Sequence, residues 1–151
     1  MRALTLRQPW AWAICHAGKR IENRTWAPPR AIVGQRIAIH AGSGDDGAAA
    51  RLDIEALTGR HVPTVVEHGA IVATALVVRA VRQSDSPWYQ GPEYVGWELA
   101  DVRVLAEPVP CRGMLGLWTV PADVATRIEA AELAPAPVRE PQGRAVLRPA
   151  P

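Results

Sequence analysis

Leu6-Arg7-Gln8-Pro9-Trp10-Ala11-Trp12 and, after a short interval, Ala17-Gly18-Lys19-Arg20-Ile21-Glu22-Asn23-Arg24-Thr25-Trp26 hold the densest chemistry of the chain. Residues 2–6 alternate as a short strand does. Pro9 suits the first turn of a helix, with Gln8 before it. Trp10, Ala13, Ile14 and Ala17 recur at helical spacing and are expected to face a core, whereas Trp12, Cys15, His16 and Lys19 fall on another face. Gly18 is a helix stop. Ile21 to Trp26 then reads as a strand, with Ile21, Asn23 and Thr25 on one side and Glu22, Arg24 and Trp26 on the other. The segment gathers Arg7, Gln8, Lys19, Arg20, Glu22, Asn23 and Arg24 with three of the six tryptophans. Cations, a carboxylate and flat aromatic faces placed together suit a planar polar ligand, and a nucleobase or nucleotide fits best.

Outward from this segment, Arg36 to Ala41 is another strand. Ser43 is expected to cap a helix whose first turn carries Asp45 and Asp46, favourable for the helix dipole. That helix runs to about Thr58, with Gly59 as its stop. Ala70 to Val81 is apolar on both faces and β-branched, which reads as a buried central strand. Ser84 to Pro92 is a loop carrying Trp88 and Tyr89. Val95 to Leu105 and Met114 to Val120 complete the strands, and Ala122 to Leu133 closes the domain as a helix. Strands outnumber helices and do not alternate strictly with them. The expected class is α+β, a mixed and mainly antiparallel barrel of about six strands with flanking helices. The domain spans 1–133. The last eighteen residues hold five prolines and three arginines, and 134–151 is expected to be a flexible tail.

A chain of 151 residues suffices for one domain with a real core. No apolar run approaches the ~20 residues of a membrane span, and the N-terminus does not read as a signal peptide. Cys15 and Cys111 lie far apart with no CxxC, so free buried thiols in a reducing cytoplasm are expected. His16, His61 and His68 show no metal-ligand spacing, and nothing in the sequence asks for a metal or a cofactor. Net charge is only +2, but residues 1–36 hold seven Arg/Lys against one acid, and residues 37–133 hold seven against thirteen. The basic field coincides with the opening segment, which suits an anionic ligand such as RNA or a nucleotide phosphate. A scatter of solvated arginines remains the competing reading.

Leu4-Thr5-Leu6-Arg7-Gln8-Pro9-Trp10-Ala11-Trp12, followed by Gly18-Lys19 and Glu22-Asn23-Arg24-Thr25-Trp26, resembles the signature of the ASCH domain family. Ile39-His40-Ala41, Gly91, Val95-Gly96-Trp97-Glu98-Leu99 and Pro110-Cys111-Arg112-Gly113-Met114-Leu115-Gly116-Leu117-Trp118 resemble its later segments in the same order, so the likeness covers residues 3–121. The resemblance implies a PUA-like fold, a small closed β-barrel, and a cleft associated with RNA or modified nucleosides. Lys19, Glu22 and Arg24 match the family's Lys-x-x-Glu-x-Arg pattern. On the strand reading Glu22 and Arg24 share a face and Lys19 reaches the same site, a trio able to hold a base edge while a cation meets phosphate or an oxyanion. A structural ion network pinning helix to strand is the alternative.

Arg7 and Gln8 lie at a strand-to-helix turn, a seat for an anion unless Gln8 only caps the helix. Trp12 and Trp26 are candidate stacking surfaces, worth ~1–3 kcal/mol per base, or else pack helix against sheet. Trp10, Trp97 and Trp118 are assigned to the core, and the Trp88–Tyr89 loop is a candidate lid. His40 is a candidate ligand or acid–base group in an otherwise apolar strand, and Glu98 a second carboxylate for the cleft. The expected function is therefore binding of RNA or of a nucleoside or nucleotide, with no membrane partner. The alternative is a hydrolase, since a branch of the family comprises N4-acetylcytidine amidohydrolases and ribonuclease activity is also associated with it. In that branch a lysine activates a nucleophilic threonine. Here Glu22 stands where that threonine would be, and Thr25 faces the other side of the strand. Lys19 and Glu22 are then the catalytic candidates, Glu22 activating water.

Overall fold

Alternation fixes which face each strand buries. Along β1 (Arg2–Gln8) Leu4 and Leu6 turn to one side and Ala3 and Thr5 to the other. The computed structural model describes residues 1–133. After β1 come α1 (Trp10–His16), β2 (Ile21–Arg24), β3 (Arg36–Asp45), α2 (Gly47–Thr58), β4 (Ala70–Val81), β5 (Val95–Pro110), β6 (Leu117–Thr119) and α3 (Ala122–Leu133). The strands form one sheet in the order β2-β5-β4-β3-β1-β6. Only β1 and β3 run parallel; the other neighbours are antiparallel. The main core lies on the α1 side, where Leu4, Leu6, Ile37, Ile39, Val77 and Trp97 meet Ala11 and Ile14. The opposite face carries Ala3, Ala38, Ile71 and Trp118 against Val124 and Ile128 of α3. Ala13, Ala17, Ile54 and Val62 join α1 to α2.

The mixed α+β class holds, but the sheet does not close into a barrel. β2 and β6 stand at its two edges. β6 pairs with β1 only over Arg2–Leu4, so the same edge of β1 is left without a strand from Thr5 onward. The physical reason is strand length: β2 has four residues and β6 three, too few to complete a ladder. Register shifts along the β4–β5 pair bend the sheet toward closure without achieving it. Arg24 of β2 reaches across the gap and donates to the Thr5 carbonyl at 2.8 Å.

Some boundaries move. Ser43 does not cap α2, because β3 runs on through Asp45 and α2 starts at Gly47. Asp46 stands at the cap position without a side-chain cap bond; its carboxylate meets Arg7 and Trp10 instead. β5 continues past Leu105 to Pro110, and β6 begins at Leu117 rather than Met114. Gly59 ends α2 as expected, at φ 68°. The expected tail, 134–151, lies outside the described residues. Among the described residues no helix is long and apolar enough to cross a membrane.

Candidate functional site

Lys19 leaves the α1–β2 turn with its ammonium turned inward. Its Nζ donates to the Ile21 carbonyl at 2.6 Å and pairs with Glu22 Oε2 at 2.5 Å. On β2 the side chains of Glu22 and Arg24 share a face, and Arg24 Nε lies 3.3 Å from Glu22 Oε1. The Lys19 and Glu22 side chains are only 4% and 10% exposed. A carboxylate thus sits between two cations, nearly out of water, where charges are costly unless paired. Arg24 Nε is buried and makes no hydrogen bond; its separation from Glu22 is an ion pair only. The trio that the sequence brings together by spacing is therefore together in space.

Glu22 and Arg24 look into a cleft of about 180 Å³ walled also by Thr5, Arg7 and Trp10. A second hollow of about 160 Å³, lined by Lys19, Trp10, Leu57, Trp88 and Gln90, lies beside it. Trp10 borders both. Its indole packs against the main core and the α1–α2 cluster, as its helical spacing suggests, but is only half-buried and donates to Asp46 Oδ2 at 2.7 Å. Arg7 also reaches Asp46, at 2.5 Å, and its side chain stays 60% exposed.

The other expected site residues lie elsewhere. Gln8 is buried, accepts from the Trp12 amide at 3.0 Å and donates to the Glu67 carbonyl at 2.6 Å. It pins the start of α1 to the 60s loop. Trp12 stands on the far side of α1, 5.4 Å from His16 between ring centroids. There it borders a 670 Å³ cavity with Val65, Val72 and Pro108. Trp26 packs edge-on against Trp97 at 4.9 Å, and its carbonyl accepts from the Trp97 indole. Neither indole expected to stack on a ligand stands in the cleft. Glu98 lies opposite Ile21 in the β2–β5 ladder and pairs with Arg79 at 2.5 Å. His40 is buried in a separate cavity, where desolvation pushes its pKa down. Trp97 and Trp118 are core residues.

Sequence reasoning gave no role to two positions. Thr5 supplies the carbonyl that receives Arg24, and the strand signal in 2–6 together with Arg24 on the facing side was the only hint. Asn23 holds the 84–92 loop, donating to the Trp88 carbonyl at 2.9 Å and accepting from the Gln90 amide at 3.1 Å. Tyr89, by contrast, is held within its own loop by the Arg82 and Tyr94 carbonyls. Cys15 and Cys111 are free thiols, and burial pushes the Cys15 pKa up to about 12, which disfavours the nucleophilic thiolate.

The sequence profile of the ASCH domain matches residues 4–109, which run from β1 through most of β5 and include the whole trio. The chain belongs to the ASCH family. Among solved structures, this ASCH chain is similar to ASCH from Zymomonas mobilis, at 14% identity and a TM-score of 0.52 over 85% of this chain and 93% of that one. Two mutant forms of the same Zymomonas mobilis protein match equally, at 14% and 13% identity with TM-scores of 0.53 and 0.52, covering 85% of this chain and 96% and 94% of theirs. At such identities the likeness shows a shared ASCH fold. No curated protein sequence matches.

Proposed function

We propose that the protein binds RNA or a modified nucleoside in the cleft beside Lys19, Glu22 and Arg24. One observation carries the reading: Glu22 is sealed between two cations at the strandless edge of β1, in a cleft that Trp10 also lines. A carboxylate accepts from an exocyclic amine, and an arginine donates to a base oxygen or nitrogen. The β1 edge beyond Leu4 has no strand beside it, and Trp10 takes the stacking role expected of Trp12 or Trp26. Arg7, exposed at the mouth, meets phosphate. The cleft is smaller than the ~300–1,000 Å³ of enclosed ligand sites, which suits a flat ring whose sugar and phosphate remain outside. A cytoplasmic setting, where Cys15 and Cys111 stay reduced, accords with this reading.

Hydrolysis is the weaker reading. Both Glu22 oxygens are already engaged by cations, which leaves neither directed at a water, and Thr25 is exposed beyond the end of β2. The test is a pair of titrations, one with a short single-stranded RNA and one with nucleosides including N4-acetylcytidine. Arg24→Lys keeps the charge and removes the fork that spans Glu22 and Thr5. It is expected to weaken binding about tenfold with an unchanged circular dichroism spectrum, and RNA affinity is expected to fall as salt rises. Equal binding by wild type and Arg24→Lys overturns the assignment. Deacylation of N4-acetylcytidine would restore the hydrolase.

A further inference from the structure

His40 lies outside the cleft just described. It stands in β3 directly opposite Thr5 of β1 and packs edge-on against Trp118 at 5.7 Å. The residue is 2% exposed. Its Nε2 lies 2.9 Å from the Cys111 carbonyl. A carbonyl only accepts, so Nε2 carries the proton, and in the neutral ring favoured by burial Nδ1 presents a bare lone pair. That atom is buried with no hydrogen-bond partner, a rare state for a native polar group. The Thr5 hydroxyl beside it accepts from Trp118 Nε1 at 3.0 Å and has its own proton to give. Both atoms face one point: a methyl built on Gly113 would come 2.6 Å from Nδ1 and 2.9 Å from Thr5 Oγ1. Around them is a cavity of about 770 Å³, with Arg112 exposed at its rim. An acceptor beside a donor complements an edge that carries an N–H next to a lone pair, as on the pairing edge of cytosine or adenine. Thr5 borders this cavity and the Glu22–Arg24 cleft alike.

We propose that the His40 cavity is a second base subsite, so that the ligand is an oligonucleotide rather than a lone nucleoside. This rests on the nucleic-acid reading of the cleft. One base lies beside Glu22 and Arg24. Its neighbour donates to His40 Nδ1 and accepts from the Thr5 hydroxyl, with Arg112 at the intervening phosphate. The Gly113 backbone covers the ring, and the base enters as the segment from Arg112 to Gly116 moves outward while Cys111, anchored to the Gly69 carbonyl, keeps its hold on Nε2. Met114 and Leu115, 52% and 99% exposed, leave the middle of that segment without an apolar anchor.

The test measures the affinity of cytidine 5′-monophosphate, a cytidine dinucleotide and a cytidine tetranucleotide for wild type, His40→Gln and Gly113→Ala. His40→Gln keeps an N–H for the Cys111 carbonyl and removes the ring lone pair. Gly113→Ala fills the point that the two polar atoms face. Wild type is expected to bind the dinucleotide at least about tenfold tighter than the mononucleotide. Both variants are expected to lose that gain and to bind the mononucleotide as wild type does. In the wild-type protein the ¹⁵N resonance of His40 Nδ1 is expected to shift with dinucleotide and not with mononucleotide, a readout that survives any folding defect in the variants. Equal wild-type affinity at all lengths overturns the second subsite and leaves the first standing, as does a length gain that both variants retain. Absence of binding at every length removes both.

Discussion

Glu22 balances two cations, and the balance is unequal. Lys19 has a single carboxylate partner, whereas Glu22 is shared by Lys19 and Arg24. Removing the carboxylate leaves a buried ammonium uncompensated; removing Lys19 leaves Glu22 still paired. Glu22→Ala is therefore expected to cost about 3 kcal/mol of stability and Lys19→Met about half of that, as read from urea unfolding. Equal losses would show that Arg24 contributes nothing to holding Glu22. At this scale the sequence was most legible in the trio itself. The Lys-x-x-Glu-x-Arg spacing places Glu22 and Arg24 on one strand face whatever the surroundings. The tryptophans were less legible, because helical spacing tells only which face an indole leaves from. Trp10 and Trp12 are two residues apart on α1, and which of them borders the cleft depends on where Asp46 and the 60s loop arrive, a matter of tertiary packing. Gln8 was ambiguous for the same reason: a glutamine before a helix reads alike whether it caps the helix or binds an anion.

The junction of β3 with α2 is an ion-pair clamp rather than a capped helix start. Asp45 receives Arg51 at 2.6 and 2.9 Å and the Gly47 amide at 2.7 Å. Asp46 receives Arg7 and Trp10, which ties the start of α2 to the start of α1. Arg51 holds the Asp45 carboxyl well below the usual carboxylate range, and Arg7 lowers that of Asp46. Near pH 4 the unfolded chain then binds more protons at these groups than the folded one. The stability they add is complete above the ordinary carboxylate range and is lost as pH falls through their lowered values. The melting midpoint is expected to hold from pH 7 down to about pH 5 and to drop below about pH 4. Arg51→Leu is expected to lower the midpoint at pH 7 by about 3–5 °C and to flatten the acid fall; an unchanged acid slope would place the sensitivity elsewhere. The Ser43 expectation failed because of what β3 meets. A Cβ on Gly42 would come 2.8 Å from Thr5 Cγ2, and that close approach to β1 keeps the strand running beyond Ala41. Close packing also binds the edge strand. A Cβ on Gly96 would meet Val81 at 2.7 Å and Ile21 at 2.9 Å, so Gly96→Ala is expected to cost about 1–3 kcal/mol and to loosen β2, read as faster amide exchange at Ile21–Arg24.

Across the whole molecule, strand number, mixed class and the order of the segments were readable from alternation and from the family resemblance. Closure was not. Whether two edges meet depends on the length of β2 and β6 and on how far the bulges of β4 and β5 curl the sheet, and none of these has a local sequence signal. The described core clusters all lie between Ala3 and Ala131. On the proline- and arginine-rich composition of 134–151, a chain ending at Leu133 is expected to unfold in one transition within about 2 °C of the full-length protein, checked by calorimetry; a large loss would assign the last residues a share of the core.

The two hydrogen bonds of Asn23 give the molecule an optical handle. They fasten the Trp88–Gln90 backbone to the same four-residue strand that carries Glu22 and Arg24, with Asn23 between those two side chains in sequence. A ligand that shifts Arg24 therefore tugs on the segment bearing the Trp88 indole, one wall of the neighbouring hollow. On the proposed reading, occupation of the cleft is expected to change the emission of Trp88 beyond the direct response of Trp10, and Asn23→Ala, by cutting the tether, is expected to leave only the Trp10 part.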